Sequence, residues 1–76
     1  MDTLEIMRQA VTKELGRDLG ELTLETSFED MQLDSLEVVQ MIMAIEEAFD
    51  IEIADEDVDG FKKVGQLVEY IEEKTR

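Results

Sequence analysis

The sequence has 76 residues, no cysteine, no histidine and no proline, and a formal net charge of −14 at pH 7. The missing cysteines exclude disulfides and thiolate metal sites, and the missing histidines exclude imidazole ligands and a serine–histidine catalytic pair. A chain of this length holds one modest core, so residues 1–76 are predicted to form a single domain.

The first helix is predicted over residues 3–15, where apolar side chains recur at helical spacing. Asp2 and Glu5 resemble a capping box, and Gly16 is a natural helix stop. Residues 17–33 show no periodicity, which predicts a long loop held against the helices by its own apolar side chains. These side chains are Leu22, Leu24, Phe28, Met31 and Leu33.

The five residues LDSLE, at 33–37, open the predicted second helix. Asp34 is placed to cap the helix and Glu37 to reach back to the cap. Without a histidine base, Ser35 is not a hydrolytic nucleophile of the usual kind. An exposed hydroxyl at a helix N-terminus can instead accept a phosphate-linked group from another enzyme, because the helix dipole favours an anion there. The residues alone leave open whether Ser35 is such an acceptor or only part of the helix start.

The second helix is predicted over residues 35–49. On a helical wheel centred on Ile42, the predicted core face consists of the nearest apolar residues. These are Val38, Val39, Ile45 and Phe49. Leu36 and Met43 fall on the outer side among acidic residues, which favours a docking surface in the case of Met43. Cover by the long loop is an equal alternative for Leu36.

Two further helices are predicted after the second. A short turn of helix is expected over residues 55–59 and a last helix over residues 63–74. The predicted fold is therefore all-α: a small antiparallel bundle of three main helices and one short helix, with a long loop between the first two helices.

Residues 55–66 begin with D-x-D-x-D-G, the opening of a calcium-binding EF-hand loop. Counted from Asp55, the last ligand position holds Gln66 instead of a bidentate glutamate. Lys62 and Lys63 lie inside the same loop, where ammonium groups oppose calcium binding. The sequence thus predicts no specific metal site, only weak divalent binding that relieves charge repulsion. The carboxylates concerned are Asp55, Asp57 and Asp59.

The acidic residues are concentrated in the middle of the chain. Residues 18–61 hold fifteen acidic and no basic side chains. Such a segment repels phosphate, which argues against nucleic acid and anionic membranes as partners and favours basic protein surfaces. The longest apolar run, residues 41–45, is far shorter than the roughly 20 residues of a membrane span, and the N-terminus resembles no signal sequence. We therefore expect a cytoplasmic protein without membrane insertion.

Residues 33–58 read LDSLEVVQMIMAIEEAFDIEIADEDV and resemble the signature region of the acyl carrier proteins. The likeness consists of the Asp-Ser-Leu motif at a helix start, the apolar stretch, the acidic pair before Phe49 and the Ile-x-Ile segment. The flanking helices and the loop with Phe28 also fit, so the resemblance covers nearly the whole chain.

The resemblance implies a carrier, not an enzyme, that holds acyl chains as thioesters on a 4′-phosphopantetheine arm. It places the arm on Ser35, with Asp34 and Leu36 as flanking residues that a phosphopantetheinyl transferase recognises. It further implies that a monomer docks on basic patches of the acyl-loading and acyl-transferring enzymes of fatty-acid, lipid or polyketide synthesis. The docking residues that match the family are Glu37, Met43, Glu46 and Glu47.

Some positions depart from the family pattern, and they fit a specialised carrier as well as a housekeeping one. These are Met31-Gln32 in place of a glycine-containing lead-in, Gln40 in place of an acid, Ala54 in place of proline, and Lys62-Lys63 before the last helix. In a different class, an unmodified helical interaction module would explain the acidic surface and leave Ser35 as part of the helix start.

Overall fold

The computed structural model of the chain describes residues 2–16 and 18–76. It contains four helices: α1 (Thr3–Leu15), α2 (Ser35–Phe49), α3 (Asp55–Val58) and α4 (Val64–Lys74). The predicted all-α fold is confirmed, and α1 and α2 have the predicted bounds. α3 ends one residue earlier and α4 begins one residue later than predicted. None of the helices in this described part of the chain has the length and apolar character of a membrane span.

α1 begins and ends at the residues that the sequence indicates. The Glu5 N–H donates to the Asp2 carboxylate at 3.4 Å, and Gly16 ends the helix in a left-handed conformation with φ 68°. The Glu5 side chain, however, accepts hydrogen bonds from Arg8 and Gln9. The hydrogen bond from Arg8 is the main reason why the pKa of Glu5 lies below its usual value. The cap at Asp2 and the stop at Gly16 are therefore confirmed, but only the Asp2 half of the predicted capping box is present, because the Glu5 carboxylate binds Arg8 and Gln9.

The core is apolar throughout, because no polar or charged residue among those described is buried. α1, α2 and α4 each contribute side chains to it, and Ile45, Leu67 and Ile71 are completely excluded from solvent. Each such side chain stabilises the fold by roughly 1.5–3 kcal/mol through removal of apolar area from water. The buried residues are Met7, Val11, Leu22, Met41, Ile42, Ala44, Ile45, Ile53, Val64, Leu67, Val68 and Ile71.

The buried side of α2 differs from the predicted one. Ile42 and Ile45 are buried as expected, but the prediction is wrong for Val39, which is 53% exposed. Met41 and Ala44, which the prediction left out, are buried. At 100° per residue the buried side is turned by roughly 80° towards Met41. α2 is apolar around most of its circumference, so its contacts with α1 decide which side is buried. The other two members of the predicted face are partly buried: Val38 and Phe49.

The long loop between α1 and α2 is tied to the start of α4 by backbone hydrogen bonds. The Val64 N–H donates to the Thr26 carbonyl at 2.8 Å. The Gly65 N–H donates to the Leu24 carbonyl at 2.8 Å. The approach is so close that a Cβ on Gly65 would lie 2.8 Å from the Leu24 carbonyl oxygen. The loop thereby supplies acceptors for N–H groups that a helix start leaves unsatisfied.

Lys63 precedes α4 and offers no acceptor with which to cap it. The Gln66 side chain accepts the N–H groups of Lys62 at 2.6 Å and Lys63 at 3.0 Å instead. The Lys63 ammonium group pairs with Glu25 of the loop at 3.0 Å. This exposed pair offsets the unfavourable position of a cation at a helix N-terminus.

Four of the five apolar loop residues pack as predicted. Leu22 is buried, and three others lie partly buried against the core: Phe28, Met31 and Leu33. The prediction is wrong for Leu24, which is 51% exposed. Leu24 is held by its backbone carbonyl on Gly65, so its side chain is left at the surface. The loop as a whole positions the start of α2.

Candidate functional site

Ser35 is the first residue of α2 and is exposed. The residue before it, Asp34, is extended and caps the helix, because its carboxylate accepts the Glu37 N–H at 2.8 Å. In return the Glu37 carboxylate accepts the Asp34 N–H at 3.2 Å, so the predicted capping box is confirmed. Since Asp34 supplies the cap, the helix start does not depend on the Ser35 hydroxyl.

The chain enters this helix start through a left-handed residue. Gln32 has φ 54°, a conformation that glycine adopts freely and that costs other residues about 1–2 kcal/mol. The Gln32 N–H donates to the Glu29 carbonyl at 3.1 Å, which closes the turn before the helix. The position of the missing lead-in glycine is thus one where the backbone favours glycine, and Gln32 adopts the same turn at a cost.

An apolar cavity of about 210 Å³ lies close to the start of α2. Leu33, two residues before Ser35, and Val38, three residues after it, both line the cavity. A group attached to the Ser35 hydroxyl therefore has an apolar space within reach, and its polar end remains at the exposed helix start. Ser35 and the apolar lining of the cavity fit a long, flexible group that is attached to the serine and carries an apolar chain. The cavity is lined by Phe28, Leu33, Val38, Met41, Ile42, Val58, Asp59, Phe61 and Leu67.

The outer strip of α2 consists of Leu36, Val39 and Met43, which are 66%, 53% and 60% exposed. Their spacing of three and four residues places them in one row along the helix. The exposure of Leu36 excludes the alternative in which the loop covers it. Beside the strip, a groove of about 340 Å³ lies between α2 and α3, and Val39 and Met43 form part of its wall. Large apolar residues in one exposed row are typical of an interaction site.

The three acidic residues assigned to docking have different surroundings. Glu47 is exposed, whereas Glu37 and Glu46 are partly buried. Glu37 holds the capping box at the start of α2. The Glu46 carboxylate accepts the Ile53 N–H at 2.8 Å and so fixes the segment between α2 and α3. Sequence reasoning missed this role of Glu46, because no local pattern predicts a hydrogen bond seven residues away.

The acidic residues of α3 form no evident metal centre. Among the described residues, no group of three or more acidic side chains is arranged to hold a metal ion. Asp55 and Asp59 are exposed, and the Asp57 carboxylate accepts a hydrogen bond from the Tyr70 hydroxyl at 3.0 Å. Weak divalent binding at these three carboxylates stays a prediction.

Comparisons with known proteins assign the family. Residues 5–71 match the family model described as "Phosphopantetheine attachment site". The acyl carrier proteins of Streptococcus pyogenes serotypes M3 and M1 are each 46% identical to this chain over 76 residues, which is 100% of both chains. The crystal structure of an acyl carrier protein from Thermotoga maritima superposes with a TM-score of 0.82 at 25% identity, over 93% of this chain and 84% of that chain.

The family match includes α2 and α3 completely and most of α1 and α4, and it does not favour an EF-hand-like protein or an unmodified interaction module. Sequence identity of 46% over the full length of both chains shows that this chain has the same fold and the same carrier function. The cofactor of such a carrier is a covalently attached 4′-phosphopantetheine, and a carrier of this kind is not an enzyme. The chain belongs to the acyl carrier protein family.

Proposed function

We propose that Ser35 carries the 4′-phosphopantetheine arm. The observation that supports this most directly is the exposed Ser35 at a helix start whose cap is supplied by Asp34. The hydroxyl is available for a phosphodiester, and the attached phosphate would lie at the N-terminus of α2, where the helix dipole stabilises an anion. When bound, the arm supplies a thiol that holds acyl groups as thioesters.

The chain accepts the arm and does not catalyse its attachment. The Ser35 oxygen forms the new bond to the phosphorus that bears the pantetheine, the pyrophosphate bond of coenzyme A breaks, and the nucleotide part leaves as adenosine 3′,5′-bisphosphate. The proton of the hydroxyl goes to a base on the transferase, since this chain has no histidine to receive it. Asp34 and Leu36, on either side of Ser35, are the residues we expect the transferase to read.

The outer strip of α2 is the surface that we expect partner enzymes to bind. Leu36, Val39 and Met43 offer apolar contact, and Glu47 and Glu37 offer negative charge beside it. A basic groove with an apolar floor fits this surface, because opposite charges speed encounter and buried apolar area slows release. The partners would be the transferase and the enzymes that load, extend or transfer acyl groups. Glu46 contributes charge to the same surface while it holds Ile53.

The chain is proposed to act as a monomer and a single domain in fatty-acid, lipid or polyketide synthesis. The arm brings one tethered substrate to several active sites at a high effective concentration. Between encounters, the apolar cavity close to the start of α2 offers the acyl chain a place out of water.

Attachment is tested by intact mass after incubation with coenzyme A, magnesium and a broad-specificity transferase. The wild-type chain should gain the mass of one phosphopantetheine, and Ser35→Ala should gain none. Ser27→Ala is a matched control, because Ser27 is the only other serine and should not affect the mass gain. A modified Ser35→Ala chain, or a wild-type chain that is never modified, would refute the assignment.

A further inference from the structure

α3 has little stability of its own. It comprises four residues, Asp55–Val58, and none of them is buried. Ala54 precedes it and provides no side-chain cap. A helix of one turn is unstable in isolation, because its nucleation cost is not repaid by further hydrogen bonds. The position of α3 must therefore be fixed by contacts with the rest of the fold.

The contacts that hold the outer end of α3 converge on Tyr70 of α4. The Tyr70 hydroxyl donates to the Asp57 carboxylate at 3.0 Å. The ring of Phe61, three residues beyond α3, meets the Tyr70 ring edge to face with centroids 5.3 Å apart and planes at 76°. The Lys74 ammonium group lies 5.3 Å from the centroid of the Tyr70 ring. Tyr70 thus links the α3 segment, defined as residues 55–61, to α4, a longer helix that is anchored in the core.

The α3 segment forms one wall of the apolar cavity close to the start of α2. Val58, Asp59 and Phe61 line the cavity from this segment, while α2, α4 and the loop before α2 line it from the other sides. Displacement of α3 from α4 would open this wall and leave the opposite walls in place. On its other side α3 borders the groove along α2. Access to the apolar interior therefore depends on how firmly α3 is held.

We propose that Tyr70 is a latch on α3: its hydroxyl on Asp57 and its ring on Phe61 set how often the cavity opens to an apolar ligand. The identification of that ligand with an acyl chain rests on the proposed function, whereas the latch itself is a property of the unmodified chain. In the closed position Tyr70 contacts both Asp57 and Phe61. Both contacts are lost together when the α3 segment moves away from α4.

The latch is tested by amide hydrogen exchange on the chain without its arm. Tyr70→Phe keeps the ring and removes the hydroxyl, and Asp57→Ala removes the acceptor. Glu56→Ala is the matched control, since it removes the same charge from the same helix and leaves the hydrogen bond from Tyr70 to Asp57 in place. The amides to follow are those hydrogen-bonded within the segment: Asp57, Val58, Gly60 and Phe61.

Both Tyr70→Phe and Asp57→Ala remove the hydrogen bond between the Tyr70 hydroxyl and the Asp57 carboxylate. Its loss should speed exchange of these amides by roughly two- to tenfold. The amides of α2 should be unchanged, which separates local opening from general destabilisation. Unchanged exchange in both variants, or an equal increase in Glu56→Ala, would overturn the latch.

Cavity access is measured by the association rate of N-phenyl-1-naphthylamine, an apolar dye without charge that the acidic surface does not repel. The rate should rise by roughly the same factor as exchange in Tyr70→Phe and Asp57→Ala. Equal rates in all chains, or no binding in any of them, would overturn the gating of the cavity. Because the arm is absent from both measurements, failure of modification at Ser35 would leave their outcome unaffected.

Discussion

α2 carries apolar side chains on two sides that meet different surroundings. On the inner side, Met41, Ile42, Ala44 and Ile45 are at most 8% exposed and pack in the core. On the outer strip, Leu36, Val39 and Met43 are 53–66% exposed. Hydrophobicity does not distinguish the two sides, since every residue of both sets is apolar and methionine occurs in both. Packing against the neighbouring helices determines which side stabilises the fold and which side stays exposed.

Acidic side chains follow the same division. Glu46 and Glu37, which lie partly buried, accept backbone hydrogen bonds and act within the fold. Glu47 is exposed, so its carboxylate is accessible from solvent. A negative charge on α2 is therefore not by itself a docking residue. A carboxylate that already accepts backbone hydrogen bonds within the fold is less available to a second protein than one that is exposed.

The largest expected effect is on the inner side. Ile45→Ala should lower the free energy of unfolding by about 2–5 kcal/mol, because it deletes a completely buried side chain and leaves a cavity. Urea unfolding followed by circular dichroism measures the change. Met43→Ala is the control on the outer strip and should stay within about 0.5 kcal/mol of the wild type. A larger cost for Met43→Ala than for Ile45→Ala would show that the two sides are reversed.

Local signals predicted the ends of the helices well. The capping box of Asp34 and Glu37, the cap at Asp2 and the stop at Gly16 depend on residues close in sequence, and the structure has all of these features. The Asp-Ser-Leu motif located the candidate site for the same reason. The geometry of a helix start depends on residues that lie within one turn of each other, so the local sequence is enough to predict it.

Features that depend on long-range contacts were not predictable. A helical wheel identifies the buried side of a helix only when the opposite side is polar. α2 has apolar residues both on its exposed side, at Val39, and on its buried side, at Met41, so the wheel does not distinguish them. The exposure of Leu24 follows from the hydrogen bond that its carbonyl accepts from the N–H of Gly65, a residue far along the chain. The contact between Tyr70 and Asp57 likewise requires the packing of α3 on α4.

The next largest effect is expected on binding. Met43→Ala should speed dissociation from the transferase by roughly 5- to 30-fold at any salt concentration, since it removes apolar area worth about 1–2 kcal/mol. Leu24→Ala is a matched control, because Leu24 is a similarly exposed apolar residue outside the outer strip. Surface-binding kinetics with the apo chain measures both rates. Equal dissociation of the two variants would remove Met43 from the docking surface.

A smaller effect is expected from charge. Glu37→Gln with Glu47→Gln should slow association severalfold and weaken its salt dependence, because exposed pairs contribute about 0–1 kcal/mol each. Glutamine at position 37 keeps an acceptor for the Asp34 N–H, so the capping box is retained.

The control for charge is Glu69→Gln with Glu73→Gln on α4, which removes the same net charge elsewhere. Stopped-flow association at two or more ionic strengths separates local from overall charge. If both double variants change the rate and its salt slope equally, net charge and not the outer strip steers the encounter.

The smallest effect concerns Val39 and tests the orientation of α2 directly. Val39→Ser should change the free energy of unfolding by less than about 0.5 kcal/mol, because Val39 is 53% exposed and serine and valine have similar helix propensities. Val11→Ser makes the same chemical change at a residue of α1 that is 1% exposed. There it places a hydroxyl in an apolar core and should cost several times more. If Val39→Ser proved as costly as Val11→Ser, α2 would be turned as the helical wheel predicts, and the outer strip would lose its central residue.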